Sequence, residues 1–408
     1  MADPTFAARS GGTADTAART GVTAPAGFRA AGVSAGIKPA NGLDLALVVS
    51  DTPAHASAVF TTNRAQAAPV LVAREHLERS GSLARAIVVN SGCANACTGE
   101  AGMKAAREMA AETARLLKCP ADHVLVASTG VIGVALPIER VRTGLPIAVR
   151  ALAADQGSTA ARAIMTTDPF PKEAATRLRI GSRDVAIGGM AKGSGMIEPN
   201  MATMLAFVAT DAAADTGLLH ATLAPAVART FNRISVDACE STNDSVFLFA
   251  TGTAGRAHPD DLAKAVEAVC ADLSEQIVRD AEGGSKFVRI RVTGAPTEES
   301  AAVAGRAVAA SALWRAAVGG GDPNWGRVLS ALGAADRSLD MSRISLSIGG
   351  VPLFVEGEPK GGLKDAAATM SSDEIIVDCS IGSGSGGAEV LSADLTEEYV
   401  KLNSEGTS

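Results

Sequence analysis

The sequence predicts an α/β protein in which layers of helices pack on mixed sheets. Three observations carry that expectation. Short runs rich in Val, Ile and Leu, bounded by turn residues, alternate with Ala-rich stretches whose apolar residues recur every three or four positions. No self-similarity at a fixed period of roughly 20–50 residues stands out, which argues against a solenoid. No run of about eighteen apolar residues occurs either, so no bilayer span is expected.

The elements follow in order. LDLALVV (43–49), ARAIVVN (84–90) and HVLVAS (123–128) read as buried strands. The stretch 99–118, GEAGMKAAREMAAETARLLK, reads as a helix ending in Lys, and Thr98 is a plausible N-cap for it. The second half repeats the style. Helix 217–230 precedes strand 244–252, helix 260–281 precedes strand 287–294, and helix 299–318 precedes strands within 343–357 and 374–382. Gly382, Gly384 and Gly387 formally satisfy G-x-G-x-x-G, but residues 388–408 are too few to complete a dinucleotide-binding unit. A hairpin turn is the expected reading there.

Composition removes several function classes. The 408 residues carry 37 Lys+Arg against 44 Asp+Glu, a net charge of −7, with two Trp, one Tyr and ten Phe. With no basic clusters and few rings for base stacking, nucleic acid is not an expected partner. Six scattered cysteines suit a cytosolic thiol pattern better than a disulfide framework, and a cytoplasmic protein is expected. The Cys93 and Cys97 spacing lacks companion ligands and the five histidines form no ligating pair, so no metal is expected. Phosphate-loop and zinc-hydrolase motifs are missing, and no cofactor is called for. Residues 1–20 lack an apolar signal core and read as a mobile tail.

What remains is chemistry-bearing density at a few places. In GGMAKGSGMIEPNMATMLAFVATD (188–211) a glycine-rich segment with one lysine runs through Pro199 and Asn200 into Thr203. This is either a loop entering a buried strand or the site of a threonine nucleophile. A cut just before Thr203 would place an α-amine, with an ordinary pKa of about 7.7–8.0, on the same residue as the hydroxyl. In VASTGVIG (126–133) a strand end could offer a hydroxyl and a backbone N–H to an oxyanion, or simply turn. IMTTDPFPKE (164–173), DAEGGSK (280–286) and GGGDPNWGR (319–327) read equally well as loops.

Taken together and in this order, these segments resemble the ornithine acetyltransferase family, the acetyl-recycling enzymes of arginine biosynthesis. The match runs from GVTAPAGFRAAGVSAGIK (21–38) through AVFTTN, NSGCANACTG, STGVIG, AIMTTD, KGSGMIEPNMATML, STNDS and DPNWGR to DLTEEYVKLNSE. The resemblance implies a self-cleaving N-terminal-nucleophile-type fold of the DmpA/ornithine acetyltransferase kind. It implies a cut between Ala202 and Thr203, giving an α chain 21–202 behind the tail and a β chain 203–408, interleaved in one unit and assembled as two α and two β chains. Thr203 would then carry acetyl from N-acetylornithine to glutamate, with acetyl-CoA a further donor for which no separate signature is visible.

The same resemblance assigns the oxyanion to the Thr129 hydroxyl and the Gly130 N–H. It puts Thr166, with Thr167 as close rival, Lys192, Glu282, Asn403 and Ser408 in the substrate pocket. Lys192 suits an α-carboxylate and Glu282 the ammonium of ornithine. Two departures accompany the match. Relatives read N-x-x-Y where this chain has Asn403-Ser404-Glu405-Gly406, and L-V-K-T-A where it has Leu313-Trp314-Arg315-Ala316-Ala317. Three other readings compete. An amidase or peptidase on this scaffold would release acetate without glutamate, and a non-catalytic homologue would bind ornithine uncut. A related acyltransferase of secondary metabolism would differ in substrate.

Overall fold

The computed structural model describes residues 19–39, 42–180, 183–198 and 204–405. Ala202, Thr203, Ser408, Gly406 and all of the expected tail but Arg19 and Thr20 lie outside the described residues.

Two mixed sheets organise the chain. The first runs in the order Val124–Val131, Leu83–Cys93, Leu45–Phe60, Ser245–Gly255, Leu205–Ala212, Arg183–Lys192, Lys172–Ile180, with Phe28–Val33 pairing off the side of Leu45–Phe60. Strand Leu205–Ala212 is parallel to Ser245–Gly255 and antiparallel to Arg183–Lys192. Two adjacent strands from after position 203 are therefore flanked on both sides, within one sheet, by strands from before it. The second sheet runs Glu358–Pro359, Val351–Val355, Ser345–Ile348, Glu374–Ser380, Phe287–Ala295, Gly386–Ala393, Ile234–Ser235.

Both faces of the first sheet are covered, which explains why its central strands read as unbroken apolar runs. Leu205, Phe207 and Ala209 enter one core while Ala206 and Val208 enter the core formed with helices Thr216–Arg229 and Pro259–Arg279. The scarce aromatics are concentrated here, Phe207 stacking on Phe247 at 5.7 Å and Phe60 meeting Phe247 edge-on at 5.6 Å. Helices Glu298–Ala310, Ala312–Gly319 and Trp325–Ala335 close one face of the second sheet. The α/β class, with helix layers on mixed sheets, is as the sequence predicts.

Three local expectations are corrected. The single helix expected over 299–318 is broken at Ser311, whose hydroxyl accepts the Trp314 N–H and caps a second helix. Thr98 stands at the N-cap position of Gly99–Leu117, but its hydroxyl donates to Asn95 Oδ1 at 2.8 Å and caps nothing. Residues 382–387 are not a hairpin turn, because strand Phe287–Ala295 lies between the two strands they connect. The segment crosses the end of that strand so closely that a Cβ on Gly384 would sit 2.0 Å from the Ala295 oxygen. Close approach of backbones, rather than phosphate binding, accounts for this glycine.

Candidate active site

A cavity of about 370 Å³ opens where the strand ends of the first sheet meet the C-terminal helix Glu397–Glu405. Thr129, Gly130, Thr166, Thr167, Lys192, Glu282 and Asn403 all line it, so every predicted site residue within the described chain is brought to one place.

Thr129 and Gly130 close the strand Val124–Val131, which runs parallel to Leu83–Cys93 with an irregular register at Gly92 and Cys93. Gly130 has φ +126°, and a Cβ there would lie 2.4 Å from the Gly92 carbonyl carbon and 2.6 Å from the Cys93 nitrogen. Glycine is required by both conformation and space. The strand end is pinned by Ser128 Oγ donating to Asn90 Oδ1 at 2.6 Å and by Asn90 Nδ2 donating to the Cys93 oxygen at 2.8 Å.

Lys192 ends the strand Arg183–Lys192 directly opposite Leu205, is buried, and lies 3.9 Å from Asp168. Burial pulls its ammonium below the ordinary lysine range, against the attraction of Asp168. Asp168 is a hub the sequence reading missed. Its carboxylate accepts Lys172 Nζ and the Gly193 N–H at 2.7 Å each and the Thr166 N–H at 2.9 Å. Burial alone would raise Asp168, but Lys192 and Lys172 more than offset it and hold the carboxyl well below the usual range. Lys172, fully buried, also bonds Asp280 just past helix Pro259–Arg279. Below the cavity, two lysines thus face two aspartates out of water.

Glu282 follows Asp280 by two residues. Its N–H donates to the Ser194 oxygen at 3.0 Å, and Asn403 Nδ2 donates to its Oε2 at 3.1 Å. A Cβ on Gly195 would lie 2.6 Å from that carboxylate, so the glycine-rich loop admits the acid to the cavity. The loop itself is fastened by Asp237, which accepts the Met196 and Ile197 N–H groups, the latter at 2.7 Å, and the Tyr399 hydroxyl at 3.3 Å. One cation and one anion therefore face a shared space, flanked by hydroxyls and a backbone amide. Such a site suits a small amino acid with an α-carboxylate and a second charged end.

Other expectations fall elsewhere. DPNWGR does not line the cavity, Trp325 stacking on Phe354 at 5.4 Å over the second sheet. Arg315 is buried against the Ala393 and Asp394 carbonyls at 2.9 and 3.1 Å and does not line the cavity. That departure from the family pattern acts on packing between helix and sheet, where a guanidinium fork reaches two acceptors at once. Among the described residues no cluster of metal-ligating side chains forms, and no helix is long and apolar enough to cross a membrane.

The buried cluster sets a pH dependence. Burial pushes Asp280 up to about 6, against the pull of Lys172. An unfolded aspartate titrates near 3.9, so between about pH 4 and pH 6 the folded chain keeps a proton that the unfolded chain has released. Asp280 therefore lowers stability as pH rises through that window. Thermal melts of the parent are expected to lose ground to Asp280→Asn up to about pH 6 and to diverge no further above it. A difference that stays constant across the window would reject this assignment.

The ArgJ family model matches residues 29–408. The chain is 48% identical over 394 residues to the arginine biosynthesis bifunctional protein ArgJ of Symbiobacterium thermophilum, covering 94% of this chain and 97% of that protein. It is 44% identical over 398 residues to the ArgJ protein of Gloeobacter violaceus, covering 95% and 98%. Among solved structures, ornithine acetyltransferase complexed with ornithine from Mycobacterium tuberculosis is 41% identical with a TM-score of 0.40, covering 46% of this chain and 96% of that one.

Proposed function

The chain belongs to the ArgJ family and is an enzyme of acetyl transfer in arginine biosynthesis, and we propose that Thr203 is the residue that carries the acetyl group. One observation carries this reading. The Thr129–Gly130 turn, Lys192 and Glu282 line a single cavity, and the strand paired with Lys192 begins just after Met204, the residue bonded to Thr203.

In this reading Thr203 first acts on its own chain. Its Oγ adds to the Ala202 carbonyl, the C–N bond breaks as the acyl group moves to oxygen, and water hydrolyses the ester. The products are a carboxylate on Ala202 and a free α-amine on Thr203. That amine takes the hydroxyl proton when Oγ attacks the acetyl carbonyl of N-acetylornithine. Thr129 Oγ and the Gly130 N–H donate to the oxyanion, where one donor is typically worth about 2.7–4 kcal/mol of barrier. The C–N bond breaks, the proton passes to the departing amine, and ornithine leaves. Glutamate's amine then attacks the acetyl ester, returning the proton to Oγ.

Lys192 holds the α-carboxylate common to both substrates, and Glu282, steadied by Asn403, holds ornithine's side-chain ammonium. Thr166, Thr167 and Ser408 complete the polar lining in the same proposal. Acetyl-CoA as a second donor, assembly from two α and two β chains, and a cytoplasmic location belong to it as well. The insertion of two strands from after position 203 between strands from before it supports two chains that stay together after the cut. Intact mass spectrometry during turnover with N-acetylornithine tests the core of it. A β chain beginning at Thr203 and heavier by one acetyl group is expected. An uncut chain, or acetate released without glutamate, would overturn transfer in favour of a silent or hydrolytic protein.

A further inference from the structure

The loop 241–245 lies between the two halves of the site and reaches both. Asn243 Nδ2 donates to the Ala94 oxygen at 2.7 Å and to the Ser128 oxygen at 2.8 Å. Those carbonyls belong to the two chain segments that flank the oxyanion turn. Ser128 immediately precedes Thr129, and the Ala94 N–H donates to the Val131 oxygen at 3.0 Å. The next residue faces the other way. Asp244 Oδ1 accepts the Met204 N–H at 2.8 Å, and the Ser245 N–H donates to the Met204 oxygen at 3.2 Å. Asp244 is anchored in turn through its backbone oxygen, which accepts the Thr61 N–H at 2.9 Å.

We infer that Asn243 is a positioning residue that, with Asp244, sets the distance between the oxyanion turn and the nucleophile's strand. Asn243 is buried and lines the cavity, yet neither of its side-chain N–H groups is left to donate to a ligand. Both amide hydrogens are spent on backbone carbonyls, and Oδ1 accepts the Thr242 hydroxyl at 2.6 Å. An amide is the side chain that supplies two donors in one plane to two carbonyls at this reach, while aspartate of the same shape would present oxygens to oxygens. The inference rests on the proposal that Thr203 and Thr129–Gly130 do the chemistry. Self-cleavage and acetyl transfer use that same pair, so a shift between the halves slows both.

The test compares Asn243→Asp with Asn243→Ala for the rate of chain cutting and for kcat and KM of acetyl transfer from N-acetylornithine to glutamate. A misplacement of about 1 Å can lower a rate roughly a hundredfold. Cutting and kcat are expected to fall together by about that factor, with KM changing less than about threefold and Asp restoring nothing over Ala. If Asn243 merely filled space, the aspartate variant would recover activity over alanine, and that recovery overturns the inference. A rise in KM at unchanged kcat overturns it too, by making Asn243 a substrate contact. Should the alanine variant not fold, the aspartate variant, which keeps the side-chain shape, decides alone. A parent protein that never forms acetyl-Thr203 would sink the underlying reading. An acetylating parent beside an unimpaired Asn243→Asp would sink only this inference.

Discussion

Thr203→Ala protein is expected to run as one uncut chain of 41.0 kDa and to transfer no measurable acetyl group. Two losses coincide in that variant. In the proposed mechanism alanine lacks the oxygen that attacks Ala202, and without that cut there is no α-amine to act as base. Removing a nucleophile that works as part of a unit lowers kcat on the order of 10⁶-fold, the remainder coming from oxyanion donors and binding. The fold gives no reason for the variant to unfold. Met204 keeps its N–H bond to Asp244, and strand Leu205–Ala212 keeps both neighbours. Thr203→Ser is the matched control, because it retains a hydroxyl and should still cut and transfer, at a reduced rate. Gel analysis over time and single-turnover acetyl transfer read both variants. Cutting by the alanine variant would move the nucleophile to another residue, and the cavity's hydroxyls at Thr129 and Thr166 would be the next to replace.

How far such a site can be read from sequence depends on where its determinants lie. Strand Leu205–Ala212 was legible because burial on both faces leaves a continuous apolar run, a purely local signal. The segments carrying Thr129, Thr166, Lys192 and Glu282 were visible as unusual densities of small and polar residues, but their convergence on one cavity was implied only by the family resemblance. Lys172 was not legible. A lysine opening the strand KEAATRLRI ordinarily faces water, and what buries this one is Asp280, 108 residues away. Asn243 hides for the same reason, its acceptors lying 149 and 115 residues back. The glycines at 382–387 misled because a tight turn and a close crossing over another strand demand the same residue. Local composition marks where backbone must be unusual, whereas the partner that makes it so is a tertiary fact.

The buried cluster beneath the cavity gives the second large effect. Lys172→Met is expected to lower stability by about 3–5 kcal/mol, the usual result of removing one partner from a buried ion pair. Four groups nearly balance in the parent: Lys172 and Lys192 against Asp168 and Asp280, whose side chains are 0% and 2% exposed where they meet Lys172. Methionine fills the lysine's volume but leaves one carboxylate in excess. Asp280 can answer by taking a proton, since burial already pushes it up to about 6, so the deficit should shrink toward pH 5 and widen toward pH 8. Asp168 cannot, being held low by Lys192 as well. Adding Asp280→Asn removes the surplus charge and should recover part of the loss, with a coupling of about 0.5–3 kcal/mol between the two sites. Urea unfolding in the uncut Thr203→Ala background keeps the reaction unimolecular and measures all three variants on one scale. Strict additivity of the two substitutions would mean that Lys172 and Asp280 do not share a charge balance. In active protein the same substitution should raise KM for N-acetylornithine, because Asp168, freed from Lys172, no longer fixes the Thr166 amide and Lys192 in the positions from which they line the cavity proposed to bind it.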